Sequence, residues 1–411
     1  MKVLEQPANN NDNTEKKAKQ ENGEKKPKRI NFTSYRNKKN RSKSIFKLVI
    51  VFAIALIFIL IWYNAAAIFE PLRGIASKIE NKTSYDVGFP VNLPGSTEYS
   101  FKDSGEIFSL LTDTYLYTYK TTGEQIYALK HGYSKPEQIT SDKRILLFDK
   151  SAYSFALYSK TSLIYNKVLD DKIIYANIGS GDMAAIVTDS SRYSNVLYVY
   201  DGGGNWKYTK KFADENVMQV SFIDNTYIIV STISVDSGEI VTNYYKFSIK
   251  STEGPIWSYS FKGNSLPCGL YADGSYVVSV CDNIVVTLDS NNGSYINSFS
   301  YKGVLKHFDI SSDYCTVQYN ESSTNKNNLV VLNKKCEAVA SATVTSNTQR
   351  IINDTDAVYI LDGIHLKKLD TGSGEESDAA LFNEDYTDFI KIDSDIMLLG
   401  YDTVNKISLG I

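Results

Sequence analysis

The sequence contains few of the residues that metal sites and disulfide scaffolds require. Its 411 residues include only 4 Cys and 3 His. The cysteines lack CxxC spacing and are too sparse for a fold built on disulfides. The three histidines, His131, His307 and His365, have no metal-ligand spacing between them. We therefore expect neither a metal site nor a bound cofactor.

Common catalytic and phosphate-binding motifs are also missing. No GxSxG, HExxH or P-loop pattern occurs in the chain. The glycines of DGGGN (residues 201–205) lead into a second strand rather than a helix, so they indicate a turn. DSNNG (residues 289–293) lacks the full oxygen set and the terminal Glu of a calcium loop, and it is also interpreted as a turn. No residue is assigned a catalytic role.

The formal net charge of −3 hides two regions of opposite sign. Residues 1–47 contain 14 Lys and Arg against 5 Asp and Glu, whereas the rest of the chain is acidic. Residues 1–44 have almost no large apolar side chains and cannot offset the entropy of ordering, so we predict a disordered basic tail. Its basic cluster is interpreted as a topology signal. Attraction to anionic lipids or to nucleic acid is the alternative, and we expect no nucleic-acid partner.

An apolar segment follows the basic tail. Residues 48–63, LVIVFAIALIFILIWY, contain no charged side chain, and the apolar character extends over residues 45–69. A helix of that length, at about 1.5 Å per residue, crosses a bilayer core of about 30 Å. The flanking basic residues place residues 1–44 in the cytoplasm, so we predict a single-pass cell-membrane protein with an extracytoplasmic carboxyl-terminal domain. A cleaved signal peptide and a buried soluble helix are the alternatives.

A β-rich pattern repeats along the rest of the chain. Two runs of β-branched and aromatic residues flank a polar turn, and a Gly-containing turn and a third run follow, as in SYVVSVCDNIVVTLDSNNGSYINSF (residues 275–299). Eight copies can be aligned, and the last residues of their central pairs fall 40, 41, 49, 39, 44, 37 and 39 positions apart. Four strands in about 40 residues are typical of a β-propeller blade.

The two ends of this region predict how the ring closes. The eighth copy ends near Leu409 without a fourth strand, and YDVGFPVNL (residues 85–93) is an orphan strand before the first complete unit. We predict that this strand completes the last blade, because closure removes an open sheet edge. The predicted fold is all-β, a propeller of eight four-stranded blades over residues 85–411, joined to the membrane helix by a tether of residues 70–84. Seven blades, paired β-sandwiches and a β-solenoid are the alternatives.

Two repeat units carry a resemblance to known propellers. VLYVYDGGGNWKYTKKF (residues 196–212) and NYYKFSIKSTEGPIWSYSF (residues 243–261) resemble the quinoprotein-type, or PQQ-like, repeat. With the amino-terminal anchor, the chain resembles an uncharacterised bacterial family of membrane-anchored proteins with a propeller-like domain of unknown function. This resemblance implies fold and topology rather than an activity. The chain departs from cofactor-binding quinoproteins because Trp206 and Trp257 lie in predicted outer strands and no two cysteines are adjacent.

Three turns within central strand pairs are expanded, and in a propeller these turns emerge on one face. They cover residues 190–194, 234–241 and 320–328, and we expect a partner to bind there. The candidate partner-binding residues are Ser190, Ser191, Arg192, Tyr193, Asp236, Glu239, Asn320, Glu321, Asn325 and Lys326. Aspartates that recur near the same turn, such as Asp149, Asp189 and Asp282, are expected to cap their own turns.

One cysteine pair has a register that suits a disulfide. A two-residue turn at Gly274 and Ser275 would place Cys268 and Cys281 directly opposite each other on neighbouring strands. These two residues are therefore candidates for a disulfide, although free buried thiols are the default prediction.

The predicted function is binding or scaffolding outside the cytoplasm, near the membrane. One anchor, a short tether and no catalytic motif favour a propeller that recognises a protein partner or a glycan of the cell envelope. The alternative is a surface enzyme that acts on polysaccharide through carboxylates in the propeller funnel. A third hypothesis is a sensor that signals through residues 1–44.

Overall fold

The computed structural model describes residues 88–96, 98–321, 324 and 326–409. The predicted tail (1–44), membrane helix (45–69) and tether (70–84) lie outside these residues, and so does Asn325. Within the described residues, no helix is both long and apolar enough to cross a bilayer.

The described residues form 32 strands in eight four-stranded antiparallel sheets, which are the blades of a propeller. Blades 1 to 4 contain β2 (Ser100–Asp103), β3 (Ile107–Leu111), β4 (Tyr115–Lys120) and β5 (Gln125–Lys130); β6 (Pro136–Thr140), β7 (Ile145–Asp149), β8 (Ser154–Tyr158) and β9 (Leu163–Val168); β10 (Ile173–Ile178), β11 (Ala184–Thr188), β12 (Asn195–Tyr200) and β13 (Trp206–Phe212); and β14 (Asn216–Phe222), β15 (Tyr227–Asp236), β16 (Glu239–Ser248) and β17 (Trp257–Lys262). A single 3-10 turn, Ser180–Asp182, lies between β10 and β11 in the described chain.

The other four blades follow the same strand order. Blades 5 to 8 contain β18 (Pro267–Ala272), β19 (Tyr276–Cys281), β20 (Ile284–Asp289) and β21 (Tyr295–Ser300); β22 (Val304–Ile310), β23 (Tyr314–Glu321), β24 (Lys326–Asn333) and β25 (Ala338–Val344); β26 (Thr348–Asn353), β27 (Ala357–Asp362), β28 (His365–Asp370) and β29 (Glu376–Leu381); and β30 (Asp388–Ile392), β31 (Asp395–Leu399), β32 (Thr403–Ser408) and β1 (Val91–Asn92). The prediction of eight blades is confirmed.

The first strands of the blades form a closed ring. Each contacts the first strand of the next blade, from β2 through β6, β10, β14, β18, β22, β26 and β30 and back to β2. These inner strands therefore surround a central channel, and the fourth strands form the outer rim.

The ring closes as predicted. In blade 8 the short strand β1 pairs with β32, with Val91 opposite Val404. The backbone N–H of Leu93 extends this pairing by donating to the carbonyl oxygen of Asp402 at 2.8 Å. An apolar cluster that includes Phe108 of blade 1 and Met397 of blade 8 covers the junction. The two ends of the domain thus complete one blade, and no inner ring edge is left open.

The core consists of apolar layers between neighbouring blades. Strand β11 of blade 3 is buried along its whole length. Its alternate residues point to opposite sides, so Ala185 and Val187 pack against blade 4, whereas Ala184 and Ile186 pack against blade 2. This period of two explains why the second strands are continuous apolar runs rather than half-polar ones.

Alternation of antiparallel strands gives the propeller two distinct faces. The hairpin face carries the turns between second and third strands, such as residues 237–238, together with the connections between blades. The mouth face carries the turns between inner and second strands, such as residues 273–275, and those between third and outer strands.

Aspartates at the ends of second strands fix the connections between blades. Asp189 Oδ1 accepts a hydrogen bond from the backbone N–H of Lys172 at 2.9 Å, and Asp282 Oδ1 accepts one from Leu266 at 2.8 Å. Asp149 accepts the equivalent hydrogen bond in blade 2. The expectation that these aspartates cap their own turns is therefore wrong, because each holds the entry to its inner strand instead.

Candidate functional site

Candidate residues of blade 3 form an exposed turn on the hairpin face. Ser191 and Arg192 are exposed, and the backbone N–H of Arg192 donates to Ser190 Oγ at 3.2 Å. Tyr193 is half-buried, with Lys211 Nζ 5.2 Å from its ring centroid. A local hydrogen bond and a cation–π contact thus define this turn.

The expanded segment of blade 4 is a strand extension rather than a loop. Ser234 pairs with Val241, and the ladder continues to Asp236 opposite Glu239. Residues 237 and 238 make the two-residue turn, and both have positive φ, as a type I′ turn requires. Asp236 Oδ2 forms an ion pair with Lys262 Nζ at 2.6 Å. This contact links the hairpin to the outer strand β17.

The candidate residues of blade 6 also lie at the end of an extended hairpin. Asn320 pairs with Asn327 and Glu321 pairs with Lys326. Gly303, in the connection from blade 5, passes so close that a Cβ there would lie 2.0 Å from the carbonyl oxygen of Asn320. The long hairpins of blades 4 and 6 therefore flank blade 5, whose equivalent turn has only two residues, 282 and 283.

Large apolar side chains are exposed at the tips of the hairpin face. Tyr401 of blade 8 is 94% exposed, Val235 of blade 4 is 73% exposed, and Val304 beside the blade 6 hairpin is 57% exposed. Tyr153 of blade 2 and Ile364 of blade 7 are also exposed. Sequence reasoning considered only turn length and missed these residues; comparing equivalent turn positions across the aligned repeats would have found Tyr153, Ile364 and Tyr401.

The turns between inner and second strands on the mouth face are acidic. Every one of the eight carries a carboxylate, and the set contains nine acidic residues against two basic ones within the described chain: Glu106, Asp142, Asp182, Asp224, Asp273, Asp313, Asp354, Asp356 and Asp393, with Lys143 and Arg144. Some of these carboxylates cap the backbone. Asp224 Oδ1, for example, accepts hydrogen bonds from the N–H groups of Thr226 at 2.6 Å and Tyr227 at 2.9 Å.

Charged side chains from four blades meet in the central channel. Lys102 of β2 interacts electrostatically with Asp309 of β22, Arg350 of β26 and Asp388 of β30. Groups from these four blades can interact only where their inner strands face one another around the axis. By contrast, β10, β14 and β18 on the other side contain no charged residue. The channel therefore has a charged side, formed by blades 6, 7, 8 and 1, and an uncharged side, formed by blades 3 to 5.

Desolvation by the channel wall shifts the protonation of this cluster. Burial raises the pKa of Asp309 and of Asp388, and the Arg350 guanidinium opposes the shift at both carboxyls. Burial lowers the pKa of Lys102, and the nearby positive charge of Arg350 lowers it further. Burial also lowers the pKa of His307 on β22. The channel thus disfavours charge on both its acids and its bases.

Few direct contacts satisfy the cluster. Asp309 Oδ2 accepts a hydrogen bond from the backbone N–H of Asn353 at 2.7 Å. The shortest approach between Arg350 and Asp388 joins Nε to Oδ1 at 3.7 Å, and both side chains remain partly exposed, at 35% and 26%. Arg350 Nε is buried without a hydrogen-bond acceptor.

A cavity of about 610 Å³ opens at the mouth face, and none of the residues of the charged cluster lines it. It lies at the ends of the inner strands of blades 2 to 5, and its lining includes Asn177, Ser221 and Tyr271. At its edge, Arg144 Nη2 lies 2.7 Å from Asp182 Oδ2. From blades 3 to 5 the lining combines polar side chains, such as Asn177 and Ser221, with apolar ones, such as Ile178 and Phe222.

The candidate cysteine pair is not bridged. Cys268 and Cys281 are free thiols, although the predicted two-residue turn is present. A bulge between Pro267 and Gly269 shifts the register, so that Pro267 rather than Cys268 lies opposite Cys281. The Cys281 sulfur lies 3.6 Å from the Tyr244 hydroxyl, and burial raises the pKa of Cys281 to about 12. The raised pKa favours a structural thiol over a reactive one.

The tryptophans and histidines lie apart. Trp206 and Trp257 are in the outer strands β13 and β17, as predicted, far from the inner ring. His131 lies in the connection between blades 1 and 2, where Nε2 contacts the carbonyl oxygen of Thr112 at 3.1 Å. His307 and His365 lie in blades 6 and 7. No group of three or more His, Cys, Asp or Glu side chains in the described residues has the geometry of a metal site.

The chain belongs to a family of unknown function, DUF5711, whose pattern matches residues 79–409. No relative is found among the curated proteins. Among solved structures, BamB from Moraxella catarrhalis is similar with a TM-score of 0.54 and 11% identity, over 79% of this chain and 97% of that one. Saccharomyces cerevisiae Sqt1 is similar with a TM-score of 0.55 and 10% identity, over 79% and 100%.

A WD40 domain is about as similar as these two structures. The WD40 domain of SCAP from fission yeast gives a TM-score of 0.52 and 10% identity, over 80% of this chain and 99% of that one. At such identities the likeness concerns the fold alone. It establishes a β-propeller, and the function must be argued from this chain's own surfaces.

Proposed function

We propose that the protein is a binding or scaffolding propeller whose hairpin face docks a protein partner. The observation that supports this best is the set of exposed apolar tips, with Tyr401 and Val235 the most exposed. Exposed tyrosines at turns are the kind of residue that dominates binding energy in protein interfaces, and exposed aliphatic side chains such as Val235 add apolar contact area. The polar candidates Arg192, Glu239 and Lys326 are also exposed on this face, at the hairpins of blades 3, 4 and 6, and can contribute polar contacts to an interface.

We further propose that the domain is extracytoplasmic and anchored by residues 45–69. The support comes from the sequence, in which a long apolar segment follows a basic tail. In this arrangement, residues 70–84 hold the propeller near the bilayer, where it meets proteins of the cell envelope. Protease accessibility of the domain in intact cells tests this part of the proposal: digestion without lysis is expected, and protection until lysis would contradict it.

Shortening the blade 4 hairpin tests the docking face. Removing residues 235–240 and closing the ladder with a two-residue turn deletes Val235 while keeping the buried part of β15 and β16. We expect capture of protein partners by the full-length chain to fall at least tenfold, because the tip supplies contact area at the interface. Trp206→Ser, on an exposed outer strand, is the matched control and should leave capture unchanged. Equal capture by the shortened variant would discard this face.

A polysaccharide-cleaving enzyme is the second candidate, and one observation favours it. Asp309 and Asp388 both face the channel, and burial raises the pKa of each, as a general acid requires. Release of reducing ends from envelope glycans, lost in Asp309→Asn and Asp388→Asn, would support this function. Absence of turnover over the whole panel would leave binding as the function.

A further inference from the structure

One wall of the mouth cavity is formed by equivalent positions of three neighbouring blades. The last two residues of each inner strand line it: Asn177 and Ile178 of β10, Ser221 and Phe222 of β14, and Tyr271 and Ala272 of β18. In each pair the first side chain is polar and uncharged, and the second is apolar. This wall therefore offers hydrogen-bonding groups beside apolar surface and carries no charge.

The charges on the rest of the lining balance. Two carboxylates, Asp142 and Asp182, lie with two cations, Lys143 and Arg144, in the turns of blades 2 and 3. The pair of Arg144 and Asp182, at 2.7 Å, places hydrogen-bond donors next to an acceptor at the edge of the cavity. A lining without net charge has no electrostatic preference for an ionic ligand, so it favours an uncharged one.

A buried hydroxyl in this cavity has no partner in the protein. Ser221 is 8% exposed, and its Oγ makes no hydrogen bond with the described residues. The Tyr271 hydroxyl donates to Asp273 Oδ2 at 3.4 Å, which is longer than the usual O–H···O distance of about 2.7–2.8 Å. Since buried polar groups normally have hydrogen-bond partners, these two hydroxyls indicate a ligand that supplies them.

The cavity wall is held in place by contacts between blades 3 and 4. Asn177 Nδ2 donates to the carbonyl oxygen of Val220 at 2.6 Å. A Cβ at Gly179 would lie 2.2 Å from Phe222 Cγ, so the turn after β10 packs directly on the end of β14. Because these contacts order the wall without a ligand, less conformational entropy is lost on binding.

An uncharged sugar matches these features. Each sugar hydroxyl both donates and accepts hydrogen bonds, so neighbouring hydroxyls can bond with the pair of Arg144 and Asp182 and with the Ser221 hydroxyl. The C–H groups of the sugar ring can pack against the apolar part of the wall. The cavity volume of about 610 Å³ is within the range of small-molecule sites, about 300–1,000 Å³.

We propose that the mouth cavity binds an uncharged sugar, held by Ser221, Tyr271 and the pair of Arg144 and Asp182. This site goes beyond the proposed docking function, because it lies on the opposite face from the hairpins. A protein on the hairpin face and a sugar in the mouth cavity can therefore bind independently.

Calorimetric titration of the full-length chain, purified without sugar-headed detergents, tests the ligand class. Because the lining extends over four blades, the probes are disaccharides: cellobiose, maltose and di-N-acetylchitobiose. Tri-alanine blocked at both ends is an uncharged peptide for comparison. We expect at least one disaccharide to bind with a Kd of about 1 mM or tighter, and the peptide to bind about tenfold more weakly. No binding of any disaccharide, or peptide binding at least as tight, would overturn the proposal.

Variants that remove the two hydroxyls locate the site. Ser221→Ala and Tyr271→Phe should each weaken binding of the tightest disaccharide about fivefold or more. Thermal unfolding should show that Ser221→Ala is no less stable than the natural chain, because its hydroxyl has no partner in the protein to lose. Undiminished binding by the folded double variant Ser221→Ala/Tyr271→Phe would refute the assignment.

Ser231→Ala is the matched control. Ser231 lies on β15 of the same blade, and its Oγ is also buried without a partner, but it does not line the cavity. This variant should bind the disaccharide normally. Shortening residues 235–240 on the hairpin face should also leave sugar binding unchanged, so this proposal and the docking face fail separately.

Discussion

The hairpin face and the mouth face are built by the same eight repeats, yet they differ in chemistry. Turns on the hairpin face expose large apolar side chains such as Tyr401 and Val235. Turns between inner and second strands on the mouth face all carry a carboxylate, and none of them exposes a large apolar side chain in the described residues. The turns between second and third strands therefore expose apolar side chains that the turns between inner and second strands lack, whereas carboxylates occur in both sets of turns.

The difference follows from what each turn must do. On the mouth face, carboxylates such as Asp224 and Asp273 cap the N–H groups of tight turns, so the same residue type recurs from blade to blade. On the hairpin face, aspartates such as Asp282 hold the blade connections from the strand end, and the turn tips are left free to vary. Because the sequence of these turn tips is less constrained, residues that bind partners are more often found there.

The largest expected effect comes from distorting the hairpin face at Gly303. This residue has a φ of 158°, and a Cβ would lie 2.0 Å from the carbonyl oxygen of Asn320. Gly303→Ala should therefore lower the free energy of unfolding by about 2–4 kcal/mol, because backbone on both sides must shift. Thermal unfolding measures this change in the free energy of unfolding. Gly274→Ala, at a mouth-face turn with open space around it, is the control and should cost far less.

Removing a carboxylate that holds a blade connection should have the next largest effect. Asp282→Ala removes the oxygen that accepts a hydrogen bond from the backbone N–H of Leu266 at 2.8 Å. We expect this change to lower the free energy of unfolding by about 1–3 kcal/mol. Asp282→Asn keeps an acceptor oxygen and should cost less than half as much. Equal losses in chemical unfolding experiments would show that charge, rather than the hydrogen bond, fixes the connection.

The channel carboxylates should make the folded state sensitive to pH in one direction. Because the folded pKa of Asp309 is raised, the folded protein binds that proton more tightly than the unfolded chain does. This group's contribution to stability therefore grows as pH falls from neutral through the folded pKa. Asp309→Asn should remove that dependence, and carboxyl NMR titration should give Asp309 a pKa above that of an ordinary aspartate. A pKa of Asp309 below that of an ordinary aspartate would contradict the burial of this carboxyl group in the channel wall.

The smallest effect on stability is expected at the exposed apolar turn tips of the hairpin face. Tyr401→Ser changes a side chain that is almost fully exposed, so the free energy of unfolding should change by less than about 0.5 kcal/mol. Tyr386→Ser, in which a fully buried tyrosine of the same blade is replaced, is the contrast and should cost several kcal/mol. A large loss from Tyr401→Ser would mean that the tip is structural rather than available for binding.

The sequence predicted the blades and their closure because both depend on repeated local patterns. A constant unit of about 40 residues and the orphan strand were sufficient to predict that residues 85–93 complete the last blade, in which Val91 lies opposite Val404. Strand alternation and turn residues act within a single unit, so one sequence reveals them.

The parts that were missed depend on contacts between distant residues. The bulge at Cys268 and the fully paired extension of blade 4 are settled by packing against neighbouring strands, which turn composition does not encode. The channel cluster combines Lys102 with Arg350 and Asp388, which are brought together only when the ring has closed. These charged residues lie at different positions of their inner strands, and nothing in one unit indicates that they interact.

Photo-crosslinking from single positions tests the division of the two faces most directly. A photoreactive residue is placed at Tyr401 on the hairpin face or at Asp356 on the mouth face of the full-length chain, expressed in cells. The account predicts protein adducts from position 401 and none from position 356. Adducts from position 356 with none from position 401 would contradict it.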